Sequence, residues 1–183
     1  VGYSLTGKVR EHLLFICHGV GSNGKSVFLN VLRRLLGSLA SQAAPDLLMA
    51  DRQRRHPTEQ ADLFGKRLVV CQETEENRRF NETLVKQLAG GDAVRVRKMH
   101  EDFWEFDPMW KLWLSTNHRP EVRGTDHAIW RRIRLIPFNV KFHDPGEGEP
   151  MKDLTMEDRL TAELPGILAW VVAGCLLWQR ERL

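Results

Sequence analysis

The sequence predicts an α/β fold: a central, mostly parallel sheet flanked by helices, with an inserted β-hairpin and a C-terminal helical segment. Three observations predict it. Two short unbroken apolar runs, Leu13-Leu14-Phe15-Ile16-Cys17 and Leu68-Val69-Val70-Cys71, and a third core strand at Trp110 to Ser115, apolar apart from Lys111 and Ser115, are what strands covered on both faces require. The first run leads through a glycine-rich stretch, Gly19 to Ser26, into apolar residues at helical spacing. Val94-Arg95-Val96-Arg97 instead alternates apolar and basic, and Phe103-Trp104-Glu105-Phe106 supplies a return strand, so this pair is a hairpin with a charged tip at Lys98 to Asp102.

At 183 residues the chain can bury one sizeable core without disulfide or metal staples. Residues 1–150 are expected to hold that core, with the hairpin near 94–106, and residues 151–183 to form a helical segment packed on it. The chain starts at Val1 without an initiator methionine, as a fragment of a longer protein would. Cys17, Cys71 and Cys175 are far apart and form no C-x-x-C pair, the pattern of buried reduced thiols. The longest apolar stretch, Gly166 to Trp178, is too short for a bilayer, and the N-terminus lacks a signal-peptide pattern. A soluble cytoplasmic domain with no membrane partner is therefore expected. A net charge of +3 is too small to mark a polyanion binder, which shifts the weight to local clusters.

The first element carries the chemistry. Gly19-Val20-Gly21-Ser22-Asn23-Gly24-Lys25-Ser26 is a complete G-x-x-x-x-G-K-S phosphate loop, followed by Val27 and by Leu29, Val31, Leu32, Leu35 and Leu36 on one helical face as far as Gly37. Backbone N–H groups of such a turn and the positive helix end cradle phosphate, Lys25 reaches the β and γ oxygens, and the Ser26 hydroxyl ligates Mg²⁺. A nucleoside triphosphate with Mg²⁺ is the ligand this predicts, and ATP is the one expected.

Ser38 to Thr58 is expected as a polar loop, with Arg52, Arg54, Arg55 and His56 forming a solvated cluster or a contact to DNA or a second subunit. The second strand ends in Gln72-Glu73-Thr74-Glu75-Glu76, and an acid at a strand's carboxyl end, here Glu73, can hold the Mg²⁺ shell or polarise the attacking water. A helix from Phe80 to Ala89 is closed by Gly90-Gly91-Asp92. After the hairpin, the third core strand ends at Thr116-Asn117, where an amide can meet the γ-phosphate; ordinary turn chemistry is the other use of Asn117. Ile129 to Arg134 leads into a short strand at Leu135 to Phe138, and strand alternation would point Arg132 and Arg134 one way and Arg131 the other. His143 to Asp153 is expected as a loop. Thr155 to Leu183 is expected as helix broken by Pro165-Gly166, burying Ile167, Leu168, Trp170, Val171, Cys175, Leu176 and Trp178.

Taken in order, the phosphate loop, Glu73, Lys86-Gln87-Leu88-Ala89-Gly90-Gly91-Asp92 with its basic hairpin, Leu112 to Asn117 and Trp130-Arg131-Arg132 resemble the superfamily 3 helicases, which are AAA+-like P-loop ATPases. The resemblance is closest to the helicase domain of phage and plasmid primase–helicase proteins and runs from Gly2-Tyr3-Ser4-Leu5-Thr6-Gly7 to Gly166-Ile167-Leu168-Ala169-Trp170. It implies that Lys25 and Ser26 are the Walker A pair, Glu73 the Walker B acid and Asn117 the γ-phosphate sensor. One of Arg131 or Arg132, with Arg132 the better match, is implied as an arginine finger for the next subunit. Arg97, Lys98 and His100 are implied to grip single-stranded DNA in the channel of a homo-oligomeric ring, a hexamer working at forked DNA, with a primase domain on the same longer chain. Where many members carry two adjacent acids this chain has Gln72-Glu73, which leaves Glu73 without its usual neighbour. Two other readings share the phosphate loop: an ATP-dependent initiator or loader that does not unwind, and a small-molecule kinase.

Overall fold

The computed structural model describes residues 1–50, 58–72, 79–122 and 127–182. In chain order these form strand β1 (Leu14–His18), helix α1 (Lys25–Leu36), β2 (Ala40–Gln42), α2 (Thr58–Ala61), β3 (Leu68–Gln72), α3 (Glu82–Ala89), the hairpin strands β4 (Val94–Val96) and β5 (Trp104–Phe106), β6 (Lys111–Thr116), α4 (His127–Trp130), β7 (Ile133–Pro137), α5 (Met156–Ala162) and α6 (Leu164–Glu181). Five strands make one sheet in the order β2-β3-β6-β1-β7, parallel at every pairing, while β4 and β5 pair antiparallel on their own.

Strand alternation sorts the apolar runs onto two faces. Leu14, Ile16, Val69, Cys71, Leu112 and Leu114 join Val85 and Leu88 of α3 in one core cluster. Phe15, Cys17, Leu68, Val70 and Trp113 join Leu29, Leu32 and Leu36 of α1 in the other. Phe15 and Trp113, directly opposite in the β1–β6 register, stack with ring centroids 4.6 Å apart. Runs with no polar position are the signature of a sheet covered on both sides. All three cysteines are buried and none forms a disulfide.

Helix ends follow local chemistry. The Asn81 side chain caps α3 by accepting from Leu84 N at 3.1 Å. The expected helix therefore begins at Glu82 rather than at Phe80, which is bridged to Met49. Trp110 Nε1 donates to Leu88 O at 2.9 Å and ties α3 to the start of β6. At the foot of the hairpin Trp104 and Phe106 stack on each other and receive Phe64 edge-on, which leaves the tip as the free end.

Three expectations are corrected, and a fourth lies outside the described residues. Ala40–Gln42, expected within a polar loop, forms an edge strand on β3; three residues are too few for a period, and the pairing comes from the neighbour. The clustered Arg52, Arg54, Arg55 and His56 lie outside the described residues. Arg131 and Arg132 are not on a strand: they occupy the turn between α4 and β7, so alternation applies to Arg134 alone. In α6 only Val171, Cys175 and Trp178 are buried, at i, i+4 and i+7. Leu168, Trp170 and Leu176 are exposed, because α6 packs along a single stripe against the Gly2–Leu5 turn and α1.

There Trp178 meets the Tyr3 ring at 4.6 Å and donates from Nε1 to Glu11. The helix break falls at Glu163, which places Pro165 in the first turn of α6, where its missing N–H costs nothing. No single helix among the described residues is long and apolar enough to cross a membrane, although α5 and α6, bent by 74°, pass that test of length and composition as a pair.

Candidate functional site

Residues 19–24 connect β1 to α1 at the carboxyl edge of the sheet. Gly24, in left-handed conformation with φ 83°, turns the chain into the helix. Gly19 is required by a different constraint: a Cβ there would sit inside the carbonyl of Phe138 and against the Asn23 amide. Asn23 is buried and staples the loop, its Nδ2 donating to Val20 O at 2.8 Å and to Phe138 O at 3.1 Å. Phe142 N donates to Ser22 O at 2.7 Å, a second tie to the segment that follows β7.

Lys25, also buried, donates from Nζ to three oxygens: Gly19 O at 2.5 Å, Asn23 Oδ1 at 3.0 Å and Asn117 Oδ1 at 3.0 Å. Asn117 arrives because β6 lies beside β1 with His18 opposite Thr116, so both strands end at the same level. Burial pushes the Lys25 pKa down, which raises the value of those acceptors to its ammonium. His18, at the end of β1, is likewise held below its ordinary value, first by burial and then by the charges of Arg119, Lys25 and His118. This edge is a cationic rim, and His18 and Arg119 belong to it although no sequence motif marks them.

A cavity of about 860 Å³ opens from the loop. Gly21 to Phe28 line one side with Gln72 and Ser115 to Asn117. The facing wall comes from Phe142, Met151, Leu154, Met156 and Leu160, of which Met151 falls in the expected loop, Met156 and Leu160 in the expected helix, and Phe142 and Leu154 in neither. α5 is clamped to α1: Arg34 meets Glu157 at 2.9 Å and donates to Thr161 at 2.9 Å, and Asn30 donates to Glu157 at 3.3 Å.

The sequence-predicted residues divide into four groups. Gly21 to Val27 with Lys25, Ser26 and Asn117 share the cavity. Gly19 and Val20 complete the same loop, Val20 at its exposed tip. Glu73 lies outside the described residues, though Gln72, the residue before it, borders the cavity. Arg131 and Arg132 lie at the far end: Leu14 N donates to Arg132 O, at the start of β1, four residue steps or about 13 Å along the strand from His18. Arg132 donates to Ala128 O at 2.6 Å, and its buried Nε has no hydrogen-bond partner among the described residues. Neither arginine reaches its own chain's Lys25.

Arg97, Lys98 and His100 sit on the separate hairpin, Lys98 and His100 exposed in the turn and Arg97 with Arg95 over the Phe103 ring at 5.0 Å each. Among the described residues no group of three His, Cys, Asp or Glu could hold a metal by itself. Among the described residues the Ser26 hydroxyl is the group placed to share a divalent cation with phosphate oxygens, which is how Mg²⁺ is commonly held.

Residues 17–132 match the family described as "Family of unknown function (DUF5906)". A Frog virus 3 protein provisionally named a helicase is 30% identical over 184 residues, covering 90% of this chain and 18% of that protein. An Acanthamoeba polyphaga mimivirus protein, also provisionally named a helicase, is 29% identical over 171 residues, 88% of this chain and 18% of its own. An African swine fever virus protein provisionally named a primase is 27% identical over 146 residues, 78% of this chain and 15% of its own. The chain thus spans less than a fifth of the length of these relatives. The apo structure of the NrS-1 C-terminal region matches 89% of this chain and 37% of its own at a TM-score of 0.67 and 14% identity, a likeness of fold.

Proposed function

The chain belongs to the DUF5906 family, and from that premise we propose that it is the ATP-driven motor module of a superfamily 3-type DNA helicase within a replicative primase–helicase. One observation carries the reading: Lys25 of the phosphate loop and Asn117, 92 positions later, meet at 3.0 Å at the mouth of a cavity large enough for a nucleotide. The helicase and primase names of the viral relatives, and an all-parallel sheet with the loop at its carboxyl edge, support it.

In the proposed cycle the triphosphate replaces the oxygens now held by Lys25, so the ammonium leaves Gly19 O and Asn117 for the β and γ phosphates. Ser26, with Glu73, would hold Mg²⁺, which when bound neutralises charge on those phosphates. Glu73 orients the attacking water. Asn117, freed from Lys25, turns its amide to the γ-phosphate and so senses its presence. Arg131 or Arg132, remote from its own chain's site, serves the site of a neighbour in a homo-oligomeric ring, where it stabilises charge that develops in the transition state. Lys98 and His100 on the hairpin, with Arg97 behind them, hold phosphates of single-stranded DNA, and a primase domain on the same longer chain is the expected companion.

The test is hydrolysis and strand displacement on a forked duplex. Lys25→Ala should lower ATP turnover at least ~100-fold with the fold intact by circular dichroism, and retained turnover would remove the assignment. Mixing Lys25→Ala with Arg132→Ala subunits should restore part of the activity if the arginine works across an interface. ATP hydrolysis without strand displacement would favour the initiator or loader reading.

A further inference from the structure

The wall that faces the phosphate loop determines how the base is held. We propose that this site accepts all four nucleoside triphosphates, gripping the base by apolar contact with residues 142–160 and leaving it unsorted by side-chain hydrogen bonds. The inference rests on the nucleotide reading above and deepens it.

Three observations carry it. First, the wall is apolar: Phe142, Met151, Leu154, Met156 and Leu160 line it, and Met151, Leu154 and Met156 are 50%, 76% and 38% exposed around a cavity of about 860 Å³. Uncovered apolar side chains around a concave site are surface that a flat base can remove from water. Methionine, unbranched and polarisable, fits itself to rings of different outline.

Second, the polar side chains this wall contributes are already engaged. Lys152 Nζ pairs with Asp144 at 2.7 Å. The Asp153 carboxylate accepts from Thr155 N at 2.9 Å, from Thr155 Oγ1 at 2.7 Å and from Arg159 at 2.7 Å. Glu157 is held by Arg34 and Asn30. None of the three has to leave a partner for the base to bind.

Third, the wall is fixed relative to the loop by the Phe142–Ser22 hydrogen bond and the α5–α1 clamp, so one ligand can reach both sides. It also lies beyond residues 17–132, the part that the family model matches.

Chemistry sets the expected discrimination. A site that hydrogen-bonds its ligand rejects an analogue lacking the group by about 10⁴-fold or more, whereas an apolar pocket separates ligands by roughly 10- to 200-fold.

The experiment measures the affinities of ATP, GTP, CTP, UTP and inorganic tripolyphosphate, each with Mg²⁺, for the full chain by competition calorimetry. The four nucleotides should fall within about 10-fold of one another, purines tightest, and all should bind more tightly than tripolyphosphate. Met151→Ser with Leu154→Ser, both exposed and outside the core, should weaken all four nucleotides by about 10-fold and leave tripolyphosphate unchanged. A preference for one base above ~100-fold, or a double variant that leaves the nucleotides unaffected, would overturn the proposal while tripolyphosphate competition still upheld the phosphate site. Failure of tripolyphosphate to compete, or competition indifferent to Lys25→Ala, would sink the phosphate-loop assignment and the base proposal with it.

Discussion

On one side of the cavity Lys25 and Asn23 are buried and hydrogen-bonded to an oxygen of their own loop, at Gly19, and to oxygens brought from two other segments, at Phe138 and Asn117. On the other side Met151, Leu154 and Met156 are exposed and offer only apolar surface. The difference fits what each side would hold in the proposed function. A triphosphate carries concentrated charge, and charge is bound well only by donors already placed and desolvated, because the effective dielectric falls and no reorganisation is needed. A base carries a broad apolar face, for which contact area suffices and small displacements cost little. Precision is therefore spent where the field is strong.

The comparison can be tested most severely at Gly19. Gly19→Ala forces a methyl group into the Phe138 carbonyl and the Asn23 amide, backbone and buried side chain that cannot both retreat. Overpacking of this kind costs about 1–3 kcal/mol, so thermal unfolding should fall by several degrees and nucleotide binding should be lost. Leu154→Ala on the opposite wall should stay within about 0.5 kcal/mol of the parent. Equal melting temperatures for the two variants would erase the contrast between the walls.

A smaller effect is expected at Asn117. Asn117→Ala removes one of three acceptors from Lys25, and the remaining two, Gly19 O and Asn23 Oδ1, keep the ammonium satisfied. Stability should drop by about 1 kcal/mol while turnover drops ~100-fold at nearly unchanged nucleotide affinity. Steady-state kinetics beside denaturant titration checks this, and a fall in affinity with normal turnover would make Asn117 a binding group only.

The smallest effect concerns pH. His18 is held below its ordinary value by burial and by Arg119, Lys25 and His118. The folded state thus gives up this proton before the unfolded state does, and stability contributed here is present above the unfolded pKa of about 6.5 and lost as pH falls toward the folded value. An anion on the cationic rim opposes that repulsion, so tripolyphosphate should raise the His18 pKa and bind a few-fold more tightly as pH falls through this window. Histidine NMR titration with and without tripolyphosphate measures it, and an unmoved His18 would place the anion away from the β1 edge.

Legibility differed between elements for physical reasons. The runs at Leu14, Leu68 and Leu112 announce buried strands because both faces are apolar, and Val94 to Val96 announces a hairpin because one face is not. Ala40–Gln42 carries no such signal, since an edge strand of three residues takes its structure from β3. Arg131 and Arg132 resemble strand residues beside Arg134 until Trp130 ends a helix just before them. In α6 almost every side chain is apolar, so periodicity cannot choose the buried stripe; Tyr3 and the Gly2 backbone packed at Gly174 and Cys175 choose it. The far wall was illegible because Met151, Leu154 and Met156 follow no period and reach the cavity through ties at Phe142 and Glu157.

The sequence alone determined the phosphate loop, since a turn that needs glycine at Gly24, a lysine next to it and a helix beyond are contiguous and their geometry is local. Only the tertiary structure decided that Asn117 meets Lys25 and that residues 142–160 close the other side. Those meetings depend on β6 settling beside β1 and α5 beside α1, and the order of strands in a sheet is set by packing between distant segments, not by any one segment's own pattern.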